Sequence, residues 1–373
     1  MRLLVLSGSD VRALLGYREC ADVMRDALIA LASGRAQQPL RTVIKPEGAA
    51  GLMALMPSYL AADGTAGDGP GNARAPGDAD APGEADAPGE ADAPGDARAL
   101  GEAGYGLKAI CITPTNPAAG LDTHQGIVLL SDGTTGEPLA LLNASAVTEI
   151  RTAAVSVVAT ELLANPDAGT LAVIGTGVQA RAHILALDST RSLREIRVAG
   201  RNEARARQFA ASFGGETRVP VRACASPREA VAAADLIVTA TSSSQPVLEH
   251  DWIASGAHIN AVGACLPHQR ELDTATVAAG ALFADRRDSL LAEAGDYRLA
   301  AADGAVSADH VSAEIGEVLT GVAHGRQSAA EITIFESLGL AIEDLAAAAC
   351  AYRHVIRALS QSGSEQRGSW VSF

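Results

Sequence analysis

The sequence predicts an α/β protein, with a doubly wound parallel sheet in its second half and a smaller α+β domain built mainly from its first. Three observations carry this. From Thr170 onward, short apolar runs alternate with helical stretches. Before Ala144, apolar runs follow one another through turns, as in an antiparallel sheet. A glycine loop, Gly175-x-Gly177-x-x-Ala180, stands between the first of the later apolar runs and a helix.

Taken in order, Ser9-Asp10 can cap a short helix, and Tyr17 to Ser33 places Ala21, Met24, Leu28 and Leu31 at helical spacing. Leu40 to Ile44 and Leu52 to Met56 read as strands around a Pro-Glu-Gly turn. Gly106 to Ile112 and Gly126 to Leu130 are further strands; Asp132 to Gly136 is a hairpin turn and Pro138 to Leu142 returns from it. Ala144 to Leu163 is a long helix stopped by Asn165-Pro166. The later strands are Leu171–Ile174, Ile196–Ala199, Leu236–Thr241, His258–Val262 and Ala281–Asp285, with a helix over Glu203 to Phe213. Ile332 to Tyr352 reads as mostly helix. Residues 1–143 with 320–359 are expected to form the first domain, 144–319 the parallel-sheet domain, and 360–373 a flexible tail.

One segment breaks this order. Residues 62–104 repeat a hexad of the type Ala-Pro-Gly-Asp-Ala-Asp and carry ten acids against two bases, or −8 of the chain's net −15. With almost nothing to bury, such a segment cannot offset about 1–2 kcal/mol of ordering entropy per residue, so a disordered acidic insertion is expected. The remainder has an ordinary charge balance, and no basic surface suggests nucleic-acid binding. Five scattered cysteines form no C-x-x-C pair, and the eight histidines show no metal spacing, so no metal is expected. No apolar run has the length of a membrane helix, and the start turns polar at Ser7, which points to a reducing cytoplasm.

The glycine loop carries the first functional expectation. Gly175 permits a tight turn, Gly177 lets the backbone approach a pyrophosphate, and Ala180 lets helix and strand pack closely. Thr176, Val178 and Gln179 complete the loop and the helix start, where backbone N–H groups favour phosphate. The domain is therefore of the Rossmann type and binds a nicotinamide dinucleotide. At the end of the second strand the sequence has Gly200-Arg201-Asn202 in place of an acid. Arg201 suits a 2′-phosphate, which favours NADP(H) and leaves NAD(H) open. Thr241 and Ser242, and Val262, follow later strands where they would run beside the nicotinamide.

With their flanks these residues resemble the ornithine cyclodeaminase/μ-crystallin family. The matching stretches are Gln38–Thr42, Gly106-Leu107-Lys108, Ile150–Ala154, Val173–Ala180, His258–Ala264 and Ser337–Asp344. The resemblance implies a homodimer whose first domain supplies the substrate and dimer surfaces. It implies hydride transfer at the α-carbon of a small amino or imino acid, with Arg41, Lys108 and Arg151 holding the carboxylate. The residue types agree, since guanidinium groups grip carboxylates and a desolvated lysine can serve as acid or base. Gln125 and its neighbour His124, with Cys265, are candidate pocket residues.

One departure matters. Cyclodeaminases of this family carry an acid where this chain has Cys265, within Val262-Gly263-Ala264-Cys265-Leu266-Pro267. A thiol with an ordinary pKa of about 8.5 is a poor substitute for a carboxylate base. The expected function is therefore an imine reductase or amino-acid dehydrogenase. An ornithine cyclodeaminase-type lyase and a non-catalytic NADP(H)-binding protein are the alternatives. The serines lack a G-x-S-x-G elbow, which argues against a serine hydrolase.

Overall fold

The computed structural model describes residues 2–62, 104–362 and 367–372. The expected disordered insertion lies outside the described residues, apart from Ala62 and from Gly104, which opens a strand.

The first half contains β1 (Arg2–Leu6), α1 (Gly8–Leu14), α2 (Tyr17–Ala32), β2 (Ala36–Gln37), β3 (Thr42–Ile44), β4 (Leu52–Leu60), β5 (Gly104–Ile112), β6 (His124–Asp132) and β7 (Pro138–Asn143). Then come α3 (Ala144–Leu163), β8 (Thr170–Ile174), α4 (Val178–Thr190), β9 (Glu195–Ala199), α5 (Glu203–Ala211), β10 (Val221–Ala223), α6 (Pro227–Val231), β11 (Leu236–Thr239) and β12 (His258–Ala261). The chain ends with α7 (Thr274–Ala279), β13 (Ala281–Ala284), α8 (Arg287–Glu293), α9 (Gly295–Ala302), β14 (Val311–Glu314), α10 (Ile315–Leu319), β15 (Thr333–Glu336), α11 (Ala341–Ser362) and β16 (Ser369–Ser372).

The strands form two sheets. The first runs β16-β1-β7-β6-β5-β4-β2, with β3 also on β4, and β4 to β7 pair antiparallel. Asp132 closes the β6–β7 turn by accepting from the N–H groups of Thr134 and Thr135, and Gly136 takes φ +73°. The second sheet is parallel throughout and runs β10-β9-β8-β11-β12-β15-β13-β14. Its order reverses between β8 and β11, so a crevice opens at the carboxyl ends of those strands. α3 packs against α2, α4 and strands of both sheets, and its alanines let those neighbours approach closely.

Three local expectations need correction, and the start of the chain, given no element from the sequence, forms one. The cap of α1 is Ser7, whose hydroxyl accepts from the N–H of Asp10 while Asp10 accepts from that of Ser7. Residues 333–336 form a buried strand, β15, between β12 and β13, so this part of 320–359 belongs to the second sheet and only α11 returns to the first. A four-residue apolar run before a helix carries no period of its own, which is why it reads as helix. The start of the chain is a strand, paired parallel to β7. The tail is not flexible at residues 369–372, because β16 pairs antiparallel with β1 and Arg2 lies 4.8 Å over the Trp370 ring.

Candidate functional site

The loops after β8, β9, β11, β12, β13 and β15 leave the second sheet at its carboxyl edge and carry or meet the candidate residues. After β8, Gly175 has φ +134° and a Cβ on it would lie 2.4 Å from the carbonyl oxygen of Ala240, so only glycine fits. Gly177 precedes α4 and provides no side-chain cap, and a Cβ there would meet nothing within 4 Å. The first-turn N–H groups of a 13-residue helix therefore face open space, the arrangement that receives a phosphate. Ala180 is fully buried beneath it. The Gln179 side chain is turned away to donate to the Thr148 carbonyl in α3, leaving its backbone N–H for an anion.

The loops after β11 and β12 are clamped together by one residue that sequence reasoning missed. Glu271 is fully buried and accepts from the N–H groups of Thr241 at 2.6 Å and Gly263 at 2.7 Å. Gly263 is required, since its Cβ would lie 2.1 Å from the Thr241 carbonyl oxygen. Asp296 in turn accepts from the N–H groups of Glu271 and Leu272. Burial pushes the Asp296 carboxyl up to about 8, with Glu271 adding to the rise. Val262 is buried beside this clamp, and Ser242 follows Thr241. After β9, Arg201 is exposed, whereas Asn202 spends its side chain capping α5 through the N–H of Arg205.

The three cations arrive from three elements. Lys108 lies in β5, Arg151 in α3 and Arg41 between β2 and β3. Each is met by a carboxylate. Lys108 Nζ is 2.6 Å from Asp344, and Arg151 Nε is 3.0 Å from the other oxygen of Asp344. Arg151 also reaches Glu343 at 2.8 Å. Arg41 forms an ion pair with Glu293, at the end of α8, at 2.8 Å, and donates to the Leu338 carbonyl at 2.8 Å. The loop between β15 and α11 is shaped for this. Gly339 has φ +78° and its Cβ would lie 2.4 Å from Arg151 Nη1. Asp285, just after β13, accepts from the N–H groups of Leu338 and Gly339 at 2.7 Å each.

Burial sets the charge states. Lys108 and Arg151 are 3% and 4% exposed. Desolvation lowers the Lys108 ammonium to about 8, against the pull of Asp344, and Arg151 lowers it further. Desolvation raises Glu343 to about 8 despite Arg151 beside it. Lys108 and Arg151 are thus held in one buried cluster with Asp344 and Glu343, where desolvation works against charge on both Lys108 and Glu343.

The expected pocket residues divide. Lys108 pairs with Val128 across β5–β6, so residues of the same parity in β6 share its face. His124 is on that face, and its pKa is lowered by burial and by the charges of Lys108 and Arg151. Gln125 is a correction: alternation puts it on the opposite face, where its amide donates to the Asp122 carbonyl. Cys265 lies within the electrostatic reach of Arg41 and Glu293, and burial raises its thiol pKa. Glu343, Asp344, Glu293 and Asp285 were not singled out in the sequence. For Glu343 and Asp344 the signal was present, because they end the Ser337–Asp344 stretch.

Comparison with known proteins identifies the family. Residues 96–358 match the model of the ornithine cyclodeaminase/mu-crystallin family. The chain is 39% identical over 252 residues to a Δ1-pyrroline-2-carboxylate reductase of Bacillus cereus, covering 67% of this chain and 77% of that one. It is 41% identical over 232 residues to the ketimine reductase mu-crystallin of Mus musculus, covering 62% and 69%. The solved Δ1-pyrroline-2-carboxylate reductase of Thermococcus litoralis, in complex with NADH and L-proline, superposes with a TM-score of 0.81 at 33% identity, covering 95% of this chain and 98% of the other. The chain therefore belongs to the ornithine cyclodeaminase/mu-crystallin family.

Proposed function

We propose that this protein is an NAD(P)H-dependent reductase of α-imino acids, cyclic ones included, with NADP(H) preferred. The observation that carries the reading is the convergence of the buried cations Lys108 and Arg151, with Arg41 nearby, at the carboxyl edge of a dinucleotide-type sheet. Guanidinium and ammonium groups gathered this way suit a substrate carboxylate. The similarity to two kinds of imine reductase supports the same chemistry.

The glycine loop after β8 and the N-terminus of α4 would hold the pyrophosphate, and Arg201 the 2′-phosphate. When bound, the nicotinamide supplies hydride chemistry at this edge. The chain's own residues bind and orient. Arg41 and Arg151 hold the carboxylate, and Lys108 Nζ, poised near about 8, holds a proton that can move to the substrate nitrogen. His124 closes the same face as a neutral imidazole. Cys265 stands where cyclodeaminases of the family carry an acid, and its raised pKa keeps it a neutral thiol, which disfavours ammonia loss from ornithine.

We also propose a homodimer through the outer face of the first sheet. That face exposes Ile44, Tyr105 and Ile127, with the Tyr59 and Tyr105 rings tilted against each other at 4.9 Å. Among the described residues no helix is long and apolar enough to cross a membrane. The testing experiment follows NADPH consumption with a panel of cyclic and linear imino acids, beside ornithine with catalytic NAD. Stoichiometric consumption with an imino acid supports the proposal. Ammonia release from ornithine without net cofactor consumption supports the cyclodeaminase alternative, and cofactor binding without any turnover supports the non-catalytic one.

A further inference from the structure

Away from the crevice, two helices bring three metal-type donors together. Glu19 is on α2, and Cys350 and His354 are on α11; one ligand atom of each lies within 4.8 Å of those of the other two. The chain carries no local metal motif here, because Glu19 lies near one end of the sequence and the other pair near the other. Cys350 and His354 are four residues apart, one helical turn, and so share a face of α11. That face meets α2, where His354 Nε2 lies 2.9 Å and 3.0 Å from the two Glu19 oxygens.

We propose that these three side chains form a zinc site. The buried Cys350 thiol makes its floor, and the part-exposed His354 and Glu19 make a rim open to solvent. Thiolate, imidazole and carboxylate are the donors zinc accepts together, whereas magnesium and calcium select oxygen alone. With zinc–ligand bonds of about 2.0–2.3 Å, tetrahedral donors stand about 3.2–3.8 Å apart. Contacts already within 4.8 Å reach that spacing through small rotations of the two rim side chains. The metal replaces the His354–Glu19 hydrogen bond with two coordinate bonds. The thiol releases its proton to solvent as the zinc–sulfur bond forms. Water completes the fourth position. Arg353 also touches the Cys350 thiol, and its long stem lets the guanidinium swing outward.

The site would tie α2 to α11. Because the first turn of α11 holds Glu343 and Asp344 against Arg151 and Lys108, a metal about two turns along the same helix would steady the cation pocket. This inference stands on residues the proposed reaction does not use, so it survives or fails separately from the reductase reading.

The test uses the full chain, stripped with a chelator and then equilibrated with micromolar zinc, with bound metal counted by mass spectrometry. Cobalt(II) serves as a second probe through its thiolate charge-transfer absorption. The expected result is one zinc per chain, a charge-transfer band and a melting temperature raised by zinc. Cys350→Ser should remove the band. His354→Gln, a part-exposed change that does not threaten folding, should weaken zinc binding at least about tenfold and remove the thermal shift. Cys111→Ser should change nothing, since that exposed thiol is the rival source of a band. Absence of zinc binding, a band that survives Cys350→Ser or vanishes in Cys111→Ser, or unaltered affinity in His354→Gln would each overturn the proposal.

Discussion

The loop after β8 and the cation pocket beside α11 stand at the same sheet edge and are built in opposite ways. The loop works through backbone. Gly175 makes a turn against the Ala240 carbonyl that no side chain allows, Gly177 leaves open space before α4, and the two lie within a few consecutive residues. The pocket works through side chains. Arg41, Lys108 and Arg151 come from three elements, and Glu293, Glu343 and Asp344 arrive from two more to hold them. A backbone site tolerates no added atom, whereas a charged site tolerates atoms but not an altered charge balance.

Removing charge from the pocket should have the largest effect. Lys108→Met keeps an apolar stem in the buried slot and deletes the ammonium. Imine reduction should fall about a thousandfold, near 4 kcal/mol, with NADPH affinity unchanged in a fluorescence titration. An equal loss of cofactor affinity would show that the two regions are not separable.

Adding one atom to the loop is the converse test. Gly175→Ala forces a Cβ against the Ala240 carbonyl at an unfavourable φ. Strain of about 1–3 kcal/mol should lower the melting temperature and the NADPH affinity together. An unchanged titration would contradict the backbone reading of this loop.

The carboxylates are the next test. Glu293→Gln should raise the KM for the imino acid about tenfold with a smaller change in kcat, because Arg41 loses its charged partner across the domain boundary. The effect should vanish in an Arg41→Ala background, which separates positioning of Arg41 from general packing. pH offers a related check. Lys108 loses its proton, and Glu343 gains charge, as pH rises through about 8, so the affinity for an imino acid should fall above that pH. A KM that stays flat through this window would contradict the charge assignment.

The smallest effect is expected at the cofactor's far end. Arg201→Asp should weaken NADPH at least about tenfold while sparing NADH. Equal losses for both cofactors would show that Arg201 does not read the phosphate.

The same contrast explains what was legible in the sequence. The glycine loop, α3 with its stop at Asn165-Pro166, and the strands β8, β9, β11 and β12 were readable because their signals are local: turn glycines, caps and apolar runs. The cations were recognisable through the family resemblance. Their partners were not, since nothing in the sequence says that Glu293 faces Arg41, or that Asp344 bridges Lys108 and Arg151. Glu271 was equally hidden, because its role is to bind backbone N–H groups from two other loops. Gln125 was misplaced by one residue, enough in a strand to move a side chain to the other face. β15 and β16 were missed because a four-residue run acquires its strand character only from its neighbours in the sheet.

The central claim is that buried cations select an α-carboxylate beside an imine. Initial rates of NADPH consumption with Δ1-pyrroline-2-carboxylate and with 1-pyrroline, the same ring without the carboxylate, test it most directly. The claim predicts that kcat/KM for the acid exceeds that for the bare imine by at least about a hundredfold, the worth of one charge-assisted bidentate contact of about 3 kcal/mol. It also predicts that Lys108→Met and Arg151→Met each reduce this preference. Equal rates on both rings, or a preference untouched by either substitution, would contradict it.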